Sequence, residues 1–256
     1  MFVGDHAPTL PTAEGLVRAA TGGAPWNLSG RLKTEKSTIE KLRRLRTRLS
    51  TMQDIVGLRV LVPSVTIQDW TLSELQGALR VRRIDDLRER PRFGYRAVHV
   101  IVDIGEIPVE IQVRTFLEHG WADYMERLAD AVGRDIRYGA KPTDPNARSI
   151  YDAMLEESEL SRERAISERG MVSSYRELVA RTRELHAIKS SGNVHWEEVI
   201  PEELDFEQEE RKLTEQFNHD FLSVIEQYQG EMVWLQDHAR DLAEGRIPFE
   251  PGVEWP

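Results

Sequence analysis

Cysteine is absent from all 256 residues, which excludes disulfides, thiolate zinc sites and cysteine nucleophiles and is compatible with a reducing cytoplasm. Long apolar runs are absent too: nothing approaches the roughly 18 consecutive residues of a spanning helix, and Met1 to His6 lacks the charged and apolar stretches of a secretion signal. A cytoplasmic protein with no membrane segment is therefore expected. Positive charge is in deficit, 34 Lys and Arg against 44 Asp and Glu, and the net charge of −10 argues against a protein that coats nucleic acid indiscriminately. Two phosphate devices are also missing, the G-x-x-x-x-G-K-[ST] loop and the G-x-G-x-x-G turn. If this chain handles a nucleotide, side chains rather than a glycine cradle must hold the phosphates.

What is present suffices for a core: 40% hydrophobic content over this length predicts one principal α/β domain with a helical extension. Residues 1–30 are rich in Gly and Pro, with helical character only from about Ala13 to Ala20. From Glu35 to Leu49 the apolar positions Ile39, Leu42, Leu45 and Leu49 recur at helical spacing, which predicts an amphipathic helix with a strongly basic opposite side. Asp54 to Pro63 is an almost continuous apolar run ended by proline and reads as a central strand buried on both sides. Ile67 to Leu79 reads as a helix, Arg80 to Arg92 as a basic strand and loop, and Thr115 to Asp130 as a helix burying Leu117, Trp121, Tyr124 and Leu128. The order helix, strand, helix, strand, strand, helix predicts a small mixed α/β sheet domain. After the breakers between Gly139 and Pro145, two long charged helices are expected, Ser149 to Ile188 and Phe206 to Leu242. The second carries Leu213, Phe217, Phe221, Val224, Tyr228 and Met232 at four- and three-residue spacing, and Glu202, Glu203, Asp205, Glu207, Glu209 and Glu210 form an acidic patch at its start.

The chemistry concentrates in two strand-like runs, Tyr95-Arg96-Ala97-Val98-His99 and Glu110-Ile111-Gln112-Val113-Arg114, separated by a turn over Ile104 to Pro108. Side chains alternate along a strand, so Tyr95, Ala97 and His99 share one face and Glu110, Gln112 and Arg114 share another. Paired as an antiparallel hairpin, they put an aromatic ring, an imidazole, a carboxylate, an amide and a guanidinium on one surface. Val98, Val100, Val102, Val109, Ile111 and Val113 face the core. An exposed face with ordinary cross-strand pairing is the bland alternative. Arg31, Lys33 and Ser37 lie in a loop and a first helical turn where anions are favoured, which also suits a surface capping segment. Asp54 opens the apolar strand, as either a turn residue or, with Glu110, an oxygen-ligand pair of the kind Mg²⁺ accepts beside phosphate.

Four segments together carry a resemblance: Arg31 to Lys41 (Arg-Leu-Lys-Thr-Glu-Lys-Ser-Thr-Ile-Glu-Lys), Asp54 to Arg59 (Asp-Ile-Val-Gly-Leu-Arg), Gly94 to His99, and Val109 to Thr115. In this order and spacing, across about Gly30 to Asp130, the chain resembles the synthetase domain of the RelA/SpoT family, the nucleotide pyrophosphokinases. The resemblance implies an α+β fold: a mixed sheet of about five strands flanked by helices, nucleotidyltransferase-like, with long C-terminal helices. It divides the chain into an N-terminal extension (1–29), a synthetase core (30–140) and a C-terminal helical extension (141–256). It implies transfer of the β,γ-pyrophosphate of ATP to a ribose 3′-hydroxyl, with Mg²⁺ as cofactor. Carried over, Arg31 and Arg59 sandwich the adenine, Lys33, Ser37 and Lys41 hold the triphosphate, and Asp54 and Glu110 bind the metal. Glu110 also takes the proton of the attacking hydroxyl, Tyr95 stacks on the acceptor base, and Arg96, His99, Gln112 and Arg114 line the acceptor path. No room precedes residue 30 for the family's hydrolase, and the His219-Asp220 dipeptide reads as a surface pair, so a single-domain small synthetase is expected.

Such enzymes divide between alarmone makers that modify GDP or GTP and toxic forms that make adenosine alarmones or pyrophosphorylate the 3′ end of tRNA. Ala97 stands where alarmone makers usually carry Ser, and Glu118 to Asp130 and Gly133 to Gly139 are similar to the toxic branch. The 3′ end of tRNA is the leading acceptor, with Arg43, Arg44, Arg46 and Arg48 as candidate phosphate contacts. Free purine nucleotides are the alternative, and an inactive nucleotide-binding signalling module the second. The toxic branch adds growth inhibition and an antitoxin protein as a candidate partner. A homo-oligomer remains open.

Overall fold

The computed structural model describes residues 6–23, 27–46, 48–191, 205–220, 222, 223 and 226. Five strands, β1 (Asn27–Leu32), β2 (Val56–Val62), β3 (Val81–Asp86), β4 (Val98–Ile104) and β5 (Ile107–Thr115), form one sheet in the order β1-β2-β5-β4-β3. All pairings are antiparallel except β2 with β5, which run parallel and place Gly57 beside Glu110 and Arg59 beside Gln112. The helices are α1 (Thr9–Ala20), α2 (Glu35–Leu45), α3 (Val65–Ala78), α4 (Phe116–Val132) and α5 (Pro145–Ser191), and residues 206–220 are also helical. No helix among the described residues is long and apolar enough to cross a membrane.

Alternation along the strands decides which face is filled. Val56, Leu58, Val60, Val62, Val98, Val100, Val102, Val109, Ile111 and Val113 are buried on one side against Ala13, Val17, Leu72 and Leu75 of α1 and α3. Each such aliphatic side chain contributes about 1.5–3 kcal/mol. A second cluster, Trp121, Ala122, Met125, Ala129, Ile136, Tyr151 and Met154, ties α4 to the start of α5. The opposite sheet face is left for polar groups.

Local signals set the boundaries. Ser64 and Thr34 accept hydrogen bonds from the backbone N–H of Ile67 and Ser37 and start α3 and α2. Thr115 and Glu118 form a reciprocal capping box at α4. Asp144 accepts from the N–H of Ala147, with Pro145 at the first helical position of α5. The hairpin turn is shorter than the sequence suggests. Ile104 pairs with Ile107, leaving Gly105 at φ 61° followed by Glu106, as a type II′ turn prefers.

Several expectations need correction. Strand β2 lies inside the sheet between β1 and β5, but it is not buried on both faces, since Gly57 and Arg59 are half-buried on the open face. The glycine-rich start conceals β1, whose short polar sequence has little strand character, so Arg31 lies on an edge strand rather than in a loop. The α2 helix stops at Leu45, where Arg46 turns left-handed at φ 48°, and Leu49–Thr51 forms a separate 3-10 turn. Ile39 is exposed, not part of a buried stripe. Helix α1 begins at Thr9, earlier than its apolar positions indicate. Ala97 is fully buried just before β4 begins. Of the expected final helix, Phe217 stacks on Tyr175 of α5, with 4.1 Å between ring centroids. Phe221, Val224, Tyr228, Met232, Glu202 and Glu203 lie outside the described residues.

Candidate active site

On the open sheet face the hairpin holds a continuous chain of polar contacts. Glu110 Oε1 lies 3.0 Å from His99 Nδ1, and Gln112 Nε2 donates to Glu110 Oε2 at 2.8 Å. His99 Nε2 lies 2.8 Å from the Tyr95 hydroxyl. Arg114 closes the chain, donating to Tyr95 Oη at 2.6 Å and to Gln112 Oε1 at 2.8 Å while its guanidinium sits 4.9 Å from the Tyr95 ring centroid. The register explains this assembly, because His99 pairs with Gln112 and Ile101 with Glu110 across β4 and β5. Burial pushes the Glu110 carboxyl up, but His99 and Gln112 outweigh it and hold the group below its ordinary value. Burial raises the Tyr95 hydroxyl against the pull of Arg114.

Asp54, just ahead of β2, faces the same space. Its Oδ2 receives Lys41 Nζ at 2.7 Å and Lys33 Nζ at 3.0 Å, while its buried Oδ1 has no partner. Burial raises the carboxyl, and the two ammonium groups bring it below the ordinary range. Asp54, Glu110 and Lys41 line a cleft of about 350 Å³ with Thr51, Met52, Gln53, Arg83 and Ile101. The Lys33 backbone N–H donates to Ile55 O at 2.8 Å, which holds the lysine against the start of β2.

Toward α4 the face becomes cationic. Arg59 of β2, Arg114 of β5 and His119 of α4 each bury a ring or guanidinium nitrogen with no hydrogen-bond partner, namely Arg59 Nε, Arg114 Nε and His119 Nδ1. Burial, followed by the nearby Arg59 and Arg114 charges, pushes the His119 imidazole down to about 4, so it is neutral at physiological pH. Burial, then Arg114 and Arg31, also lowers Arg59. A buried nitrogen without a partner costs about 1–3 kcal/mol, so three of them together suit a bound polar or anionic group. Arg31 extends the patch, since it pairs with Gly57 and so shares the Arg59 face.

The fold thus brings together Asp54, Glu110, Lys33, Lys41, Tyr95, His99, Gln112 and Arg114, with Arg31 and Arg59 alongside. Arg96 does not join them. Its side chain is 4% exposed and points to α5, donating to Ser158 O at 2.8 Å, Ser158 Oγ at 2.9 Å and Glu159 at 2.7 Å, and to Arg88 O. That placement corrects its assignment to the acceptor path: it ties the tyrosine loop to α5. Ser37 is exposed beside its cap, with its hydroxyl accepting from Thr34 at 2.9 Å. Arg43, Arg44, Arg46 and Arg48 are all exposed, and Arg44 stacks over Tyr138. Sequence reasoning missed His119 and Arg83 as neighbours of the site. A register shift in β3 between Val81 and Arg83 accompanies the placement of Arg83, and only tertiary packing brings His119 in. Glu118, grouped with it in sequence, is structural. It is buried, caps α4 and accepts from Gln68 Nε2 at 2.8 Å.

Residues 30–129 match the family model described as the region found in RelA / SpoT proteins. Uncharacterized proteins of Mycobacterium tuberculosis and Mycobacterium bovis are 39% identical over 145 residues, 53% of this chain and 52% of theirs. The chain therefore spans about half the length of the curated relatives it matches. Among solved structures, small alarmone synthetase 2 of Bacillus subtilis superimposes with a TM-score of 0.52 at 19% identity, over 67% of this chain and 95% of that one. Small alarmone synthetase 1 of the same organism gives 0.50 at 23%, over 66% and 91%. The likeness to both is one of fold. Residues 30–129 thus match the region found in RelA / SpoT proteins, and the fold is similar to that of the small alarmone synthetases.

Proposed function

We propose that the chain is an ATP-dependent pyrophosphokinase that transfers the β,γ-pyrophosphate of ATP to a ribose 3′-hydroxyl, with the 3′ end of tRNA as acceptor. The observation that carries this reading is the cleft in which Asp54 and Glu110 face each other beside Lys33 and Lys41, continuous through His99 with Tyr95. Arg31 and Arg59 would clasp the adenine between guanidinium planes. Lys33 and Lys41, now on Asp54, are placed to exchange that carboxylate for the triphosphate, and Ser37 lies in the first turn of α2, where the helix end favours anions.

Asp54 and Glu110 suit a hard cation. Asp54 Oδ1 is buried without a partner, and both carboxyls are held ionised below their ordinary range. Two such oxygens together with substrate phosphates are a donor set that Mg²⁺ accepts. When bound, Mg²⁺ would neutralise phosphate charge as the new bond forms. In the reaction the 3′-oxygen attacks the β-phosphorus, the bond to the oxygen bridging the α- and β-phosphorus atoms breaks, AMP leaves, and the hydroxyl proton passes to Glu110. His99 and Gln112 hold that carboxylate in place. Tyr95 offers its ring to the acceptor base, steadied from one side by Arg114.

Purine nucleotides are the second acceptor class, favoured by the net charge of −10, which opposes a large polyanion. An inactive nucleotide-binding module is the third reading. The acceptor atom is tested with tRNA ending in 3′-deoxyadenosine: label from γ-labelled ATP should enter normal deacylated tRNA and be absent from the deoxy form. Equal labelling of both would refute attack by the 3′-oxygen. As a toxic enzyme it would also halt growth on expression, the Tyr95→Ala variant would not, and an antitoxin protein would relieve the arrest.

A further inference from the structure

The turn that leads into Tyr95 carries a residue poorly matched to its backbone. Arg92 and Tyr95 exchange backbone hydrogen bonds, Tyr95 N to Arg92 O at 3.1 Å and Arg92 N to Tyr95 O at 3.2 Å, around Phe93 and Gly94. Both central residues have positive φ, 54° and 83°. This is the pattern of a type I′ turn, which favours Asn-Gly or Gly-Gly, and a bulky aromatic in the left-handed region is a steric outlier. Core burial does not offset the strain, because Phe93 is 51% exposed. The outlier therefore asks what the displayed ring does.

Its surroundings are specific. The Phe93 ring lies on the Cα of Gly139, where any side chain would collide with it. The preceding residue, Tyr138, is 52% exposed, and the Arg44 guanidinium lies 4.5 Å from its ring centroid. Arg43, Arg46 and Arg48 are exposed at the same end of α2. The nearby acidic groups face cations of their own: Glu40 and Asp130 both approach Arg134, at 3.9 and 3.3 Å, and Asp85 lies 2.9 Å from Arg83 and 4.0 Å from Arg92.

We propose that Phe93 and Tyr138, with Arg44, form a stacking platform for the unpaired nucleotides that precede the 3′-terminal residue of an RNA acceptor. The proposal rests on the acceptor reading above. Phe93 stands two residues from Tyr95, so a strand whose last base stacks on Tyr95 has its next bases beside the platform. Aromatic faces stack bases of any identity, and the arginines supply the phosphate contacts. A free mononucleotide has nothing to place there, so the platform distinguishes a strand end from a nucleotide.

The test is fluorescence anisotropy with a single-stranded RNA trinucleotide, labelled at its 5′ end and free at its 3′-hydroxyl, compared with the equally labelled mononucleotide. Wild type should bind the trinucleotide about tenfold or more tightly than the mononucleotide, and the Phe93→Asn, Tyr138→Ala double variant should reduce the difference to about twofold. Asn accepts the left-handed turn, so Phe93→Asn alone should keep or raise the melting temperature, which a purely structural ring would not do. Unchanged trinucleotide binding in the double variant, or no preference in wild type, overturns the platform. Concentration-dependent sedimentation lost only in the variant would likewise overturn it, by making the patch a contact between copies. Transfer measured in parallel separates the two claims. Labelled RNA with an unchanged KM in the variant sinks the platform alone, whereas ring-dependent binding without any labelling of RNA sinks the acceptor reading alone.

Discussion

Glu110 differs from an ordinary surface carboxylate in being partnered on both oxygens, by His99 and by Gln112, within a half-buried strand face. Glu110→Gln keeps the shape and removes the base, and Asp54→Asn removes one charge while leaving Lys33 and Lys41 nearby. Each should lower transfer by at least about 10²-fold with the far-UV circular dichroism and melting temperature retained; substantial residual transfer would remove these residues from their roles. His119 gives a prediction in pH. Its folded pKa of about 4 lies below the ordinary imidazole value of 6.5, so the unfolded chain takes up the proton first as pH falls. Its contribution to stability is complete above about 6.5 and declines as pH drops toward 4. His119→Gln should flatten that part of a urea-denaturation pH series, and an unchanged slope would contradict the account. Residues on alternating strand positions, Glu110, Gln112 and Arg114, were legible because period two alone assigns their face. His119 and Phe93 were not, since one reaches the site through helix packing and the other matters through a φ angle.

At the scale of elements, α3 and α4 were readable from their apolar spacing, although the Ser64 cap starts α3 at Val65, two residues before the expected Ile67. The β1 strand was not, because its burial alternates only between exposed and half-buried residues and its pairing to β2 is long-range. Helix α5 does more than extend the chain. Its buried Glu168 accepts from the backbone N–H of Thr66 at 2.8 Å and of Val65 at 3.2 Å, capping α3 from a distant part of the sequence. Glu168→Ala should cost about 1–3 kcal/mol in urea denaturation, a loss that a freely solvated glutamate would not cause. Ser158 of the same helix donates to Gly94 O at 2.6 Å and accepts from Arg96, so α5 braces the loop that carries Tyr95. Ser158→Ala should raise the KM for the acceptor and leave that for ATP unchanged; equal changes in both would mean a general loss of structure.

Across the whole molecule, a net charge of −10 coexists with a cationic sheet face and a basic end of α2. Negative charge elsewhere keeps the attraction for polyanions local, so RNA affinity should be modest and fall with salt according to a small number of phosphate contacts. The fold class was readable from the order of elements and the four motif segments. The division between tRNA and free nucleotide was not, because it depends on surfaces outside the nucleotide pocket. The most direct measurement incubates the protein with γ-labelled ATP and Mg²⁺ in a mixture of deacylated tRNA, GDP, GTP and AMP, and follows the label. The account predicts label on tRNA, none on the nucleotides and none anywhere with Glu110→Gln; label confined to free nucleotides, or no transfer to any acceptor, would contradict it.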